Sequence, residues 1–206
     1  MKILAHRGWW LSPAEKNSEV AFRRAFEGGF GVETDVRDQE GILRIAHDVP
    51  VGDGLMSFAD FLRLHRSYPG AGRIALNIKA DGLQKLLRSD LAENPVDDLF
   101  CFDMAVPDAL GYVRGGFCTY TRQSEVETVP AFLDQAQGVW LDAFYGDWIV
   151  PEVVEQHLAA GRRVALVSPE LHGRDHRAAW DSWRGLRSDR LEICTDLPDQ
   201  AANFFN

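Results

Sequence analysis

Apolar positions along the chain follow two alternating rhythms. Eight short runs are dense in β-branched or aromatic residues: KILAHRG, FGVETDV, RIALNIK, LFCFDM, GFCTYTR, GVWLDAF, RVALVSP and LEICTDL. Several are continuously apolar, the pattern of parallel strands covered on both faces. Between them the period lengthens to that of a helix. SEVAFRRAFEGG puts Val20, Ala21, Ala25 and Phe26 on one face and stops at Gly28 and Gly29. SFADFLRLHRSY carries Phe58, Phe61, Leu62 and Leu64, with Ser57 placed to cap it. DGLQKLLRSDLA, SEVETVPAFLDQA, VPEVVEQHLAAG, DHRAAWDSWRGL and PDQAANFF fill most of the later gaps as helices, while AVPDALGYVRG reads as a turn or two only.

Strand and helix alternating eight times predict a small (β/α)8 barrel rather than an open doubly wound sheet. A length of 206 residues suits one well-buried core and is short for two, so residues 1–206 are expected to form a single domain. GILRIAHD, which follows the second strand, reads as an additional short strand or arm that returns His47 and Asp48 toward the strand tips.

Composition removes whole classes of function. A net charge of −9 opposes a broad nucleic-acid or anionic-membrane surface, which demands clustered Lys and Arg. No stretch approaches the roughly 20 apolar residues of a membrane span. The apolar opening Met1–Leu4 runs straight into His6 and Arg7, which no signal-peptide core tolerates, so a cytoplasmic location is expected. Cys101, Cys118 and Cys194 each lie inside an apolar run without metal-site or disulfide spacing, and read as buried thiols.

Barrels of this kind build their sites at the C-terminal strand ends. That rule gathers His6 and Arg7, Glu33 and Asp35, His47, Asn77 and Lys79, and Asp103. Glu33 and Asp35 are two apart, so on an extended strand both carboxylates face one side. Two inward carboxylates repel each other unless a cation compensates them, and Mg²⁺ or Ca²⁺ is the simplest partner. Asn77 shares the spacing with Lys79; an amide oxygen can ligate a hard cation and an ammonium can hold a phosphoryl oxygen. Histidines ordinarily titrate near neutrality, so His6 and His47 suit proton transfer on either side of a phosphate. The Arg7 fork suits phosphate itself.

AHRG, NSEVAF, GVETDVRDQEGILRIAHD, LNIK and ICTDLPD, in this order over most of the chain, resemble the glycerophosphodiester phosphodiesterase family, relatives of the phosphatidylinositol phospholipases C. The resemblance implies a TIM barrel that hydrolyses a small-molecule phosphodiester with one divalent cation, Mg²⁺ or Ca²⁺. By position it makes His6 and His47 the acid and base, Glu33 and Asp35 metal ligands, and Arg7 and Lys79 phosphate holders. Three departures stand out. Asn77 occupies a place where the family usually has an acid, with Asp103, Asp142 or Glu170 as replacements. The PEN turn has become PAEKNS, leaving Asn17 matched. The insertion that usually follows the His-Asp pair is missing, so the site should be open.

An open mouth directs attention to later strand ends. Trp9, Asp103, Arg122, Asp142 and Glu170 are expected to reach a substrate, with Trp10, His172 and Arg174 nearby; Trp140 is a further candidate contact, but it reads first as packing, as do Phe144, Tyr145 and Trp148. The expected function is a metal-dependent phosphodiesterase acting on a glycerophosphodiester-like or sugar phosphodiester. The competing readings are a barrel that binds a phosphate-containing ligand with little turnover, and a lyase that forms a cyclic phosphate.

Overall fold

Each of the eight apolar runs becomes a strand in the computed structural model, which describes residues 1–206. The strands are β1 (Lys2–His6), β2 (Gly31–Gln39), β3 (Ile42–Ile45), β4 (Ile74–Ile78), β5 (Leu99–Phe102), β6 (Tyr120–Gln123), β7 (Gly138–Leu141), β8 (Arg163–Val167) and β9 (Leu191–Thr195). Seven helices accompany them: α1 (Glu19–Glu27), α2 (Phe58–Arg66), α3 (Gln84–Glu93), α4 (Val106–Arg114), α5 (Pro151–Ala159), α6 (Arg177–Trp183) and α7 (Pro198–Phe205). The Ser18 and Ser57 hydroxyls accept from the amides of Ala21 and Asp60, capping α1 and α2. Pro151 and Pro198 begin α5 and α7, where a missing amide donor costs nothing.

Around the barrel the strands run β5-β4-β2-β1-β9-β8-β7-β6, each parallel to its neighbour. Only one bridge joins β5 to β6: the Cys101 amide donates to the Cys118 carbonyl at 2.8 Å. The result is a nearly closed (β/α)8 barrel. The predicted arm is β3, antiparallel to the outer half of β2.

Alternation along each strand separates two environments. Val32, Val36, Ile74, Leu76 and Ile78 face outward and join Phe22, Phe26, Phe58, Phe61 and Leu62 of the helices. Val139, Leu141, Val164, Leu166 and Ile193 do the same against Trp180, Trp183 and Phe205. Inward positions form a separate filling of Leu4, Ala75, Phe100, Phe102, Tyr120, Trp140, Ala165, Val167 and Cys194. Below it, buried Arg73 and partly buried Arg163 converge on the fully buried Glu192, and both guanidiniums donate to the Tyr120 hydroxyl.

Two connections differ from their sequence pattern. Residues 124–136, expected to be helical, form turns instead. Pro130 removes a helical donor and clashes with the preceding turn. Ser124 and Glu125 spend their side chains on backbone amides, the former on Val126 and Glu127, the latter on Phe144, Tyr145 and Gly146. AVPDALGYVRG, expected to hold only a turn or two of helix, forms a nine-residue helix, slightly longer than that. Its proline sits in the first turn, where it is tolerated, and Tyr112 anchors its inner face. No helix is long and apolar enough to cross a membrane.

Candidate active site

Strand register brings the sequence-predicted groups together. His6 on β1 pairs with Glu33 on β2, and Asp35 on β2 pairs with Asn77 on β4. Because Val32 and Val36 point outward to the helices, Glu33 and Asp35 necessarily point inward, above the apolar filling of the barrel. Both are buried.

Asp35 is heavily compensated. Arg7 Nε lies 3.0 Å from Oδ2, which also accepts from Asn17 Nδ2 at 2.8 Å, and Lys79 Nζ lies 3.6 Å from Oδ1. Asn17 is itself held by the Thr34 hydroxyl at 2.8 Å. Glu33 fares worse. It has a His6 Nε2 at 3.8 Å and long hydrogen bonds, 3.3 Å each, from the Arg7 amide and Asn77 Nδ2. Burial, and then the charge of Asp35, push its carboxyl up to about 7.

His6 is fixed by a partner that the sequence reading did not assign. Its Nδ1 lies 2.7 Å from Asp196 Oδ1, and Trp10 Nε1 donates to its carbonyl. Asp196 belongs to the TDLPD segment just past β9, which is hydrogen-bonded to β1; that adjacency was the available signal. Lys16 lies 3.9 Å from the other Asp196 oxygen and over the Trp10 ring. Arg7, Asn17 and Asp103 all hold positive φ, at 55°, 57° and 67°, a conformation disfavoured for side-chain-bearing residues. Three such residues around one mouth indicate a backbone shaped to aim particular groups.

Two buried acceptors, Asp35 Oδ1 and Asn77 Oδ1, have no hydrogen-bond donor. Together with Glu33 they form an all-oxygen donor set whose two carboxylates repel, which fits a hard divalent cation. No cluster of three or more His, Cys, Asp or Glu side chains is arranged as a metal site, so the fit rests on two carboxylates and an amide. The candidate replacement acids are engaged elsewhere. Asp103 bridges Lys79 and Arg122. Asp142 pairs with His172 Nε2 at 2.7 Å. Glu170 accepts from the Ser168 and Thr195 hydroxyls and the Asp196 amide, so it braces the β9 end.

His47 lies on the rim, half exposed, with Nδ1 directed to Asp48 at 2.8 Å and its carbonyl held by Arg37. It makes no hydrogen bond to His6 or to the carboxylates, and its Nε2 is unengaged. The connection from β3 to α2, residues 46–57, contains no inserted helix or strand.

Two candidate substrate contacts are placed elsewhere. Trp140 is buried inside the barrel, stacked on Phe102 at 4.0 Å, because its strand position faces inward among aromatics. Trp9 turns away along α1: its amide donates to the Ala21 carbonyl and its ring meets Phe30 edge-on. Trp10 is the tryptophan beside His6. Arg122 stays near the mouth, tied to Asp103 and Glu127, with its guanidinium over Phe144. His172 meets the Phe144 ring edge, and Arg174 pairs with Asp147.

No protein-family model matches the chain, and no curated protein does. Solved structures do resemble it. A Galdieria sulphuraria protein, described provisionally as a glycerophosphodiester phosphodiesterase, superposes with a TM-score of 0.76 at 16% identity, over 99% of this chain and 97% of that one. The glycerophosphodiester phosphodiesterase from Agrobacterium tumefaciens str. C58 gives 0.74 at 19% identity, covering 98% and 99%. The glycerophosphoryl diester phosphodiesterase from Parabacteroides distasonis gives 0.70 at 15% identity, covering 98% and 85%. At these identities the likeness establishes a shared barrel fold along nearly the whole chain.

Proposed function

We propose that the barrel is a metal-dependent phosphodiesterase acting on a small glycerophosphodiester-like or sugar phosphodiester. The observation that carries this reading is the convergence at one mouth of a carboxylate-anchored histidine, two inward carboxylates, buried oxygens of Asp35 and Asn77 that lack a hydrogen-bond donor, and Arg7 with Lys79. The names of the three similar structures support the reaction class.

Glu33, Asp35 and Asn77 would hold one divalent cation, Mg²⁺ or Ca²⁺. When bound, that cation supplies positive charge to the phosphoryl oxygens as negative charge builds there. The remaining chemistry belongs to the chain. Asp196 is a positioning residue: accepting from His6 Nδ1, it leaves Nε2 as the free base, directed toward the Glu33 side of the mouth. His6 Nε2 takes a proton from the attacking water as its oxygen bonds to phosphorus, and His47, acting from the rim in its doubly protonated form with Nδ1–H on Asp48, gives its Nε2 proton to the leaving alcohol oxygen as that P–O bond breaks. Arg7 and Lys79, both at Asp35, hold phosphoryl oxygens once a substrate competes for them.

Titration calorimetry with Mg²⁺ and Ca²⁺, alongside turnover of a phosphodiester panel, tests the reading. Cation binding is expected in the wild type and is lost in Glu33→Ala together with turnover. A wild type that binds no cation, or a Glu33→Ala protein that hydrolyses at the wild-type rate, would contradict it.

A further inference from the structure

Large exposed apolar side chains are confined to one end of this molecule. The six most exposed are Leu11, Val49, Val51, Val126, Val129 and Tyr145: Leu11 and Tyr145 follow the C-terminal ends of β1 and β7, the Val126 amide and the Thr128 carbonyl beside Val129 are held by Ser124 and Gln123 at the end of β6, and the Gly52 carbonyl beside Val51 is held by Gln39 at the tip of the β2–β3 arm. The remaining four stand at helix starts or at the tip of the β2–β3 arm, on the same end. At the opposite end, where helices return to strands, comparable residues such as Phe30, Tyr68, Val96 and Phe117 are at least partly buried. Single exposed valines are ordinary; their complete segregation to one face is not.

From this we infer that the mouth face docks on a zwitterionic lipid surface. These residues share their barrel end with a charged centre that contains His6, Arg7, Glu33, Asp35 and Lys79. That arrangement, polar beside apolar, is the complement of a phosphate headgroup set in a hydrocarbon boundary. A protein partner would present its packed aromatic or arginine anchors to an apolar pocket. Here the centre is charged, and the apolar residues stand separately on four connections. Tyr145 adds the side chain typical of membrane–water boundaries. Charge selects the lipid: the chain carries −9, and of that the arm with its following loop holds Asp38, Glu40, Asp48 and Asp53 against Arg37 and Arg44, an acidic excess that disfavours anionic headgroups. The inference deepens the phosphodiesterase reading, on which the identity of the site rests, by making the substrate an amphiphile met at an interface.

Sedimentation with sucrose-loaded phosphatidylcholine vesicles tests the docking without any turnover. Wild type is expected to sediment with the vesicles, and the double variant Val51→Asp, Val129→Asp to lose at least tenfold in partitioning. Both residues are nearly fully exposed, at 88% and 87%, so the fold should be intact, with an unchanged melting temperature. Hydrolysis of a water-soluble phosphodiester should not change in the same variant. Wild type that stays in the supernatant overturns the inference, as does a double variant that sediments equally well. Binding seen only when phosphatidylglycerol is added, or a dimer in gel filtration that the double variant breaks without any vesicle binding, overturns it too. Vesicle binding without cleavage of any phosphodiester would leave the docking standing and remove the catalytic reading instead.

Discussion

Glu33 is the residue on which the electrostatics of the mouth turn. Its carboxyl is pushed up to about 7 from an ordinary 4.5, by burial first and by Asp35 second. Between those two values the folded protein binds more protons than the unfolded chain. The stability this group contributes is therefore full below 4.5 and is lost as pH rises toward 7. Thermal unfolding of cation-free protein should show a melting temperature that falls by several degrees across this window. Glu33→Gln should flatten the dependence, and a divalent cation should restore stability at the upper end. A flat wild-type profile would mean that the two carboxylates are already compensated. The groups that make up this cluster were legible from spacing alone, because strand parity places Glu33 with Asp35 and Asn77 with Lys79. Asp196 was harder to find, since its partner His6 lies 190 positions away and only strand order brings them together. Trp9 was misplaced for a related reason. Strand-tip position says which end a residue occupies, whereas neighbouring rings and helix α1 decide where an indole turns.

At the scale of elements, the instructive segment joins β6 to β7. Its apolar spacing is helical, yet Pro130 and a competing set of hydrogen bonds defeat the helix. The Glu125 carboxylate accepts three consecutive amides, from Phe144, Tyr145 and Gly146, at 3.0 to 3.1 Å. It thereby fixes the loop after β7 that carries Tyr145. Glu125→Ala should cost about 1.5–3 kcal/mol in urea unfolding, the range for hydrogen bonds to a charged group. An unchanged midpoint would show that water replaces the carboxylate without loss. The β2–β3 arm shows the opposite balance: its turn and return were readable because the ladder that joins its two strands lies wholly within residues 36–45. What the sequence could not convey is how far out His47 ends, since that depends on the Asp48 and Arg37 contacts.

For the molecule as a whole, the two barrel ends are built to different purposes. One end is closed by Glu192 between Arg73 and Arg163. Replacing Glu192 with Ala would leave two guanidiniums without their shared anion and should cost about 3 kcal/mol in denaturant unfolding. A loss below about 1 kcal/mol would show that Tyr120 and Asp98 suffice as partners. The other end carries the convergent charges and the exposed apolar residues, and the order of eight strands that creates it was readable from the alternation of run and helix along the chain. Cleavage of phosphodiesters at this mouth is proposed to run through His6. Following a glycerophosphodiester by ³¹P NMR, with Mg²⁺ or Ca²⁺ present, is its most direct test. A phosphomonoester resonance should grow with wild type and be at least a hundredfold slower with His6→Ala, whereas no new resonance with wild type, or equal rates for both proteins, would contradict it.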